Sequence, residues 1–212
     1  MNLKILFEDA NLLVVDKEAW IDVEGVQKLL PEGYAPAHRL DKDTSGVLLV
    51  AKTPESLEFF RQQFKQRMVE KIYLCLAEGR IEQKQGEIET LLGRSPNDRR
   101  KQKVFLPGEP GTQGKREAVT KYKVAKRYAG YTFLEVKPKT GRKHQIRAHL
   151  SHLGHPVAGD KLYGFKNQKA PEGLKRQFLH AYSLCLTMPN GKKKEFTSPL
   201  PVELQKVLDD LA

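Results

Sequence analysis

HRLDKDTSGVLLVAKT, residues 38–53, joins a dense polar loop to an unbroken apolar run. Gly46 to Ala51 is too short for a helix and is flanked by turn-forming residues, so it reads as a buried strand. Asp43-Thr44-Ser45-Gly46 is good turn chemistry ahead of that strand. Thr53-Pro54-Glu55 behind it has the form of a helix N-cap with proline at the first helical position. Leu57, Phe60, Phe64 and Met68 continue as an apolar helical stripe. The loop itself carries two carboxylates, three basic side chains and two hydroxyls. Loops that enter a rigid strand are where function concentrates. Turn chemistry accounts for Asp43 to Gly46 but not for His38-Arg39-Leu40-Asp41, which sets charges around one apolar anchor.

Outward from this loop, Leu3 to Glu8 and Leu12 to Lys17 read as a hairpin split by Asp9-Ala10-Asn11. Asp22 to Ala37 is turn-rich and weakly patterned. Lys71 to Ala77 and Ile88 to Leu92 read as strands, and Arg94 to Lys103 as a basic loop. Residues 118–125 alternate, and Tyr131 to Pro138 pairs with them across Ala129-Gly130. His144 to Leu153 reads as a helix stopped by Gly154 and Pro156. Phe178 to Met188 and Lys194 to Thr197 are further strands, and Pro201 to Leu211 closes the chain as a helix with Leu204, Leu208 and Leu211 inward. Strands outnumber helices and short turns join neighbours. The expected class is α+β: a mixed, mainly antiparallel central sheet with flanking helices, in one domain spanning residues 1–212.

The 212 residues hold 37 Lys and Arg against 26 Asp and Glu, a net charge of +11. A chain this basic presents a positive face to a polyanion, nucleic acid first among them. Cys75 and Cys185 lie far apart in apolar runs, as buried free thiols of a reducing compartment would. The N-terminus lacks a leader-type apolar segment, and no apolar run reaches membrane-spanning length. The expectation is a cytoplasmic monomer without a membrane partner.

Two further groups could carry chemistry. Lys139-Thr140-Gly141-Arg142-Lys143-His144-Gln145-Ile146-Arg147 places a glycine before a helix, with Arg142, Lys143 and Arg147 adding charge where a helix start already attracts anions. Lys71-Ile72-Tyr73 sets Tyr73 on the strand face opposite Ile72 and Leu74. His144, His149, His152 and His155 invite a zinc reading. No carboxylate or cysteine falls at ligand spacing among them and the surrounding charge is positive, so no metal is expected.

HRLDKDTSGVLLVAKT resembles the signature of the RluA family of pseudouridine synthases, and KTGRKHQIRAHLSHLGHPVAGDKLYG (139–164) resembles that family's later block. A KxY strand (71–73), KQKV (101–104), Leu179-His180-Ala181 and FTSPLP (196–201) follow the family's order. The resemblance implies the pseudouridine synthase fold around a basic cleft, and isomerisation of uridine in ribosomal or transfer RNA without metal or nucleotide cofactor. It implies that Asp41 is the nucleophile, Arg142 its basic partner and Tyr73 the residue stacked on the target base. It also implies that Leu179 lines the base pocket and Arg39 helps hold the space a flipped nucleotide leaves. His38, Lys103, Lys143, His144, Gln145 and Arg147 are expected to bind substrate around them. Base flipping calls for an aromatic platform and inserted side chains. The chain departs from the family where relatives have Lys-Pro-x-Gly and it reads Lys17-Glu18-Ala19-Trp20, and the segment that follows, to Ala37, is also short. No S4-type RNA-binding module is expected before the catalytic domain.

Two rival readings remain at this point. A non-catalytic RNA-binding protein on the same fold has no need of a carboxylate facing phosphates, which favours the enzyme. A Mg²⁺-dependent nuclease calls for clustered acids, and only Asp43 lies near Asp41 in sequence.

Overall fold

The computed structural model describes residues 3–166 and 169–212. The chain divides into two compact units, one of residues up to Tyr73 with His180–Pro201, the other of Leu74–Leu179 with Val202–Ala212.

In the first unit the expected hairpin is present: β1 (Lys4–Glu8) pairs antiparallel with β2 (Leu12–Lys17). Strand β4 (Ser45–Ala51) pairs antiparallel with β2 and with the two-residue β3 (Ala35–Pro36), and parallel with β10 (Leu179–Thr187), which carries β11 (Lys193–Thr197) antiparallel. The unbroken apolar run of β4 is explained by burial on both faces. Val47, Leu49 and Ala51 join Leu12, Val14, Phe60, Leu184, Leu186 and Phe196 on one side. Leu48 and Val50 join Leu13, Val15, Val26, Leu40 and Ala181 on the other.

The first side is closed by α2 (Pro54–Lys65). Thr53 caps it by accepting from the Ser56 amide while the Ser56 hydroxyl accepts from the Thr53 amide. Phe60 is fully buried, with Leu57 and Phe64 packed against the same core. Met68 does not extend the stripe: the helix ends at Lys65, Arg67 turns left-handed at φ 61°, and Val69 takes the inward place while Met68 is exposed. The turn-rich segment after Asp22 contains the short helix α1 (Val23–Gln27), capped by the Asp22 carboxylate.

The second unit, which takes β5 (Glu70–Glu78) from Leu74 onward, is built on the strand order β5, β9 (Tyr131–Pro138), β8 (Arg116–Tyr128), β6 (Gln85–Arg94), β7 (Gln102–Phe105). The pairs β8–β9, β6–β8 and β6–β7 are antiparallel. Helix α3 (Gln145–His152) packs Ala148 with Leu92, Ala118 and Tyr163. Helix α4 (Val202–Asp210) turns Leu204, Val207 and Leu208 inward, so Val207 rather than Leu211 completes its apolar face. The fold is α+β, with mixed and mainly antiparallel strands as expected. Cys75 is buried, and burial pushes its thiol pKa up; Cys185 is only partly covered, contrary to expectation. No helix of the described residues is long and apolar enough to cross a membrane.

Candidate active site

The Asp41 loop is held from three directions within the first unit. Leu40 is buried among Leu13, Val15, Leu48 and Val50, so the residue before Asp41 anchors it to the sheet. The Thr44 amide donates to the Asp41 carbonyl at 3.0 Å, closing a turn headed by the aspartate. Aspartate suits the first position of such a turn. Lys17, fully buried, donates to three carbonyls: Ile21 at 2.7 Å, Glu18 at 2.8 Å and Lys42 at 3.1 Å. An ammonium has three donors. This one ties the carbonyl of Lys42, the residue following Asp41, to the loop that follows β2. The next constraint is Gly46, at φ 117°, where a Cβ would run into the Ala181 backbone of β10. Ser45 donates or accepts with buried His180 at 2.9 Å, and His180 reaches the Ser198 carbonyl, also at 2.9 Å. Ser198 in turn donates to Asp16 at 2.7 Å. The FTSPLP segment thus braces the end of β2 and the start of β4.

Asp41 is half-buried at the head of this turn, with Arg39 and Lys42 exposed on either side. Tyr73 packs against the same cluster as Leu40. Burial first, and then the charge of Asp41, push the Tyr73 phenol pKa up, so Tyr73 is a neutral hydroxyl within reach of the aspartate's field. Lys71 shares the Tyr73 face of β5 by strand alternation. Burial pushes the Lys71 pKa down to about 8, and its charge acts on His38. The pKa of His38 is pushed down to about 3, by burial first and Lys71 second, against a backbone hydrogen bond at Arg39. Its Nε2 accepts from the Leu49 amide at 3.0 Å and its ring stacks on Phe64 at 4.7 Å. His38 is therefore a neutral ring turned toward the fold, although sequence reading assigned it to substrate. Lys17 carries no mark in the sequence beyond being a lysine at the end of an apolar strand, and Lys71 entered only as the first residue of the KxY strand, without a role of its own.

The second unit gathers the other expected residues. Arg142 is partly exposed and donates from Nε to the Glu117 carbonyl at 2.9 Å. Its peptide is fixed by Gln145, whose Oε1 accepts from the Arg142 amide (3.0 Å) and from Thr140 Oγ1 (2.6 Å). Gln145 Nε2 donates to the Val119 carbonyl and to Thr120 Oγ1. Gln145 thus staples the Thr140–Arg142 turn to β8, an internal role for a residue expected at substrate. Arg147 likewise points inward: Nε and Nη2 grip both oxygens of Asp160 at 2.6 and 2.9 Å. Burial works to raise the Asp160 pKa, but Arg147 and the Leu162 and Tyr163 amides overcome it and hold the carboxyl low. The left-handed residue before α3 is His144 at φ 55°, not Gly141, and its Nδ1 lies 3.1 Å from the Tyr163 hydroxyl. Lys143 is exposed. Lys103 is exposed on β7 and lies, like Lys115, 5.0 Å from the Phe105 ring. Leu179 is buried, its carbonyl accepting from Arg176.

The clustered histidines separate into individual contacts. His149 meets Thr90 and Thr120, and His155 meets the Glu78 carbonyl. Among the described residues no group of three or more His, Cys, Asp or Glu side chains is gathered as for a metal ion.

Known proteins agree with the motifs. Residues 13–152 match the family model described as RNA pseudouridylate synthase. An uncharacterized RNA pseudouridine synthase of Chloroflexus aurantiacus is 42% identical over 175 residues, which is 82% of this chain and 52% of that protein. Ribosomal large subunit pseudouridine synthase D of Nitrosomonas europaea is 38% identical over 97% of this chain and 64% of its own length. The chain therefore spans about half to two thirds of these relatives. The solved structure of human RNA pseudouridylate synthase domain containing 1 superposes with a TM-score of 0.82 at 30% identity, covering 99% of this chain and 94% of that one. With the motifs, the matched segment and the fold in agreement, this chain belongs to the RNA pseudouridylate synthase family.

Proposed function

We propose that the chain isomerises uridine to pseudouridine in large-subunit ribosomal RNA, with Asp41 as the nucleophile. The observation that carries the reading is the half-buried Asp41 carboxylate at the head of the turn into β4, next to buried Leu40, against whose cluster Tyr73 also packs. Ribosomal RNA is favoured because relatives such as the Nitrosomonas enzyme carry that substrate in their names.

The chemistry suits these side chains. The N1–C1′ bond breaks, the base turns, C5 joins C1′, the C5 proton leaves and N1 gains one. Nothing is oxidised and no group is donated, so the reaction balances without a cofactor. Asp41 attacks C6 or C1′, or stabilises a glycal intermediate; Tyr73, neutral, stacks on the base and takes part in moving the proton. Arg142 serves as the cation that favours and orients the Asp41 carboxylate, a role supported by the family motif. Arg39, Lys103 and Lys143 contact RNA, and Leu179 lines the base pocket. The chain acts as a single catalytic domain, as a monomer in the cytoplasm.

Unmodified transcripts of large-subunit ribosomal RNA and of transfer RNA, incubated with the protein and mapped by carbodiimide-dependent reverse-transcription stops, test this. A new stop at a discrete uridine in the ribosomal transcript is the expected result. Stops only in transfer RNA move the substrate. Stops in neither, with RNA still bound, favour a binding protein on the same fold.

A further inference from the structure

Trp20, the single tryptophan of the chain, is 53% exposed at the turn following β2. Its φ is 75°, in the left-handed region that a bulky side chain adopts only under constraint. Trp20 occupies the fourth place of the turn where the family's Lys-Pro-x-Gly has glycine, and it keeps the backbone that glycine adopts freely. The constraint is visible: buried Lys17 grips the carbonyls of Glu18 and Ile21, on either side of Trp20, while Ile21 packs into the cluster that holds Leu40 and Tyr73. A large apolar ring is thus held out in solvent at a cost in backbone strain. Strain of this kind survives where the surroundings impose it, and it gathers at functional sites.

The location says which function. The ammonium that bonds the Ile21 carbonyl at 2.7 Å also bonds the Lys42 carbonyl at 3.1 Å, so the carbonyls of the residues following Trp20 and Asp41 meet at one atom. The neighbours Glu18 and Asp22 are exposed acids, which repel a phosphate backbone but leave the face of a base unaffected. Extruding a uridine also leaves adjoining bases without stacking partners, and aromatic side chains are the usual substitutes in RNA recognition.

We propose that Trp20 is a base-stacking residue of this chain: beside the Asp41 loop it receives an unpaired RNA base next to the target uridine. The inference rests on the proposed RNA-modifying function, and its test separates the two.

Because the chain has one tryptophan, its emission reports on this residue alone. Wild type is titrated with unmodified large-subunit ribosomal RNA transcript, with binding measured by filter retention and Trp20 exposure by acrylamide quenching. Trp20→Gly and Trp20→Phe are measured for binding and melting. The expected result is RNA-dependent shielding of the indole on the same curve as binding. Trp20→Gly should bind about ten-fold more weakly while melting no lower than wild type, with Trp20→Phe close to wild type. Full binding with unchanged acrylamide quenching overturns the inference and leaves the function standing. So does a Trp20→Gly that melts lower yet binds as wild type, which makes Trp20 a fold residue. Absence of RNA binding by wild type overturns both.

Discussion

At the residue scale, neighbouring groups determine the charge of the side chains around Asp41. Tyr73 is kept neutral by burial and by Asp41, so it is a hydroxyl and a ring rather than a phenolate. Tyr73→Phe should retain RNA binding and lose at least ten-fold in turnover, read as a fall in kcat with little change in KM. An unchanged kcat makes the hydroxyl idle. The motifs marked Asp41, Tyr73 and Arg142 as candidates, because each sits in a short local string of recognisable residue types. They could not separate substrate-facing residues from supports inside the same strings. Arg147 and Gln145 sit in the strongest motif of the chain, yet their partners, Asp160 and Thr140 with the β8 backbone, make them internal. The excess of positive charge in that segment concealed Asp160 as the carboxylate that Arg147 serves.

Elements explain how a polar loop is held rigid. β4 was readable because both its faces are buried, and α2 because Thr53 and Pro54 announce its start. The end of α2 was not readable: Arg67 has no sequence feature marking a left-handed stop, so Met68 was placed on a stripe that had already ended. Lys17 was hidden for a different reason. A lysine is normally a surface residue, and one of its carbonyl partners comes from Lys42, 25 positions away. Lys17→Met should therefore destabilise by roughly 2–4 kcal/mol, since three carbonyls lose their donor, and should lower turnover more than any change in melting explains. Urea unfolding beside single-turnover assays measures both. Gly46→Ala tests the close approach of β4 to β10: the added Cβ meets the Ala181 backbone, and φ is 117°. A loss of several kcal/mol, or failure to fold, is expected; wild-type stability would contradict the parallel pairing of His180 with Ser45.

Across the whole molecule, charge and burial set the responses to salt and pH. The net charge of +11 was the one global property the sequence stated outright, and it points to phosphate. Lys103→Ala should weaken RNA binding by a similar factor at all sequences and reduce the slope of log affinity against log salt by about 1. Acid response follows from two histidines, His38 partly covered and His149 fully buried. His38 is lowered to about 3, by burial and then Lys71, and His149 to about 4, by burial and then His152. Both are neutral when folded and take up protons near pH 6.5 when unfolded. Their contribution is therefore complete above about pH 6.5 and is lost as pH falls toward 4 and then 3. Denaturant midpoints should drop between pH 7.5 and pH 5, and His149→Asn should flatten that drop. A wild-type midpoint that does not fall would contradict the neutral rings.

The central claim is that Asp41 carries a uridine isomerisation. Tritium release from ribosomal RNA labelled at uridine C5, with wild type and Asp41→Asn side by side, addresses it most directly. Release by wild type and none by Asp41→Asn, with the variant folded and still binding RNA, is the predicted result. Equal release by both proteins, or none from wild type on an RNA it demonstrably binds, would contradict it.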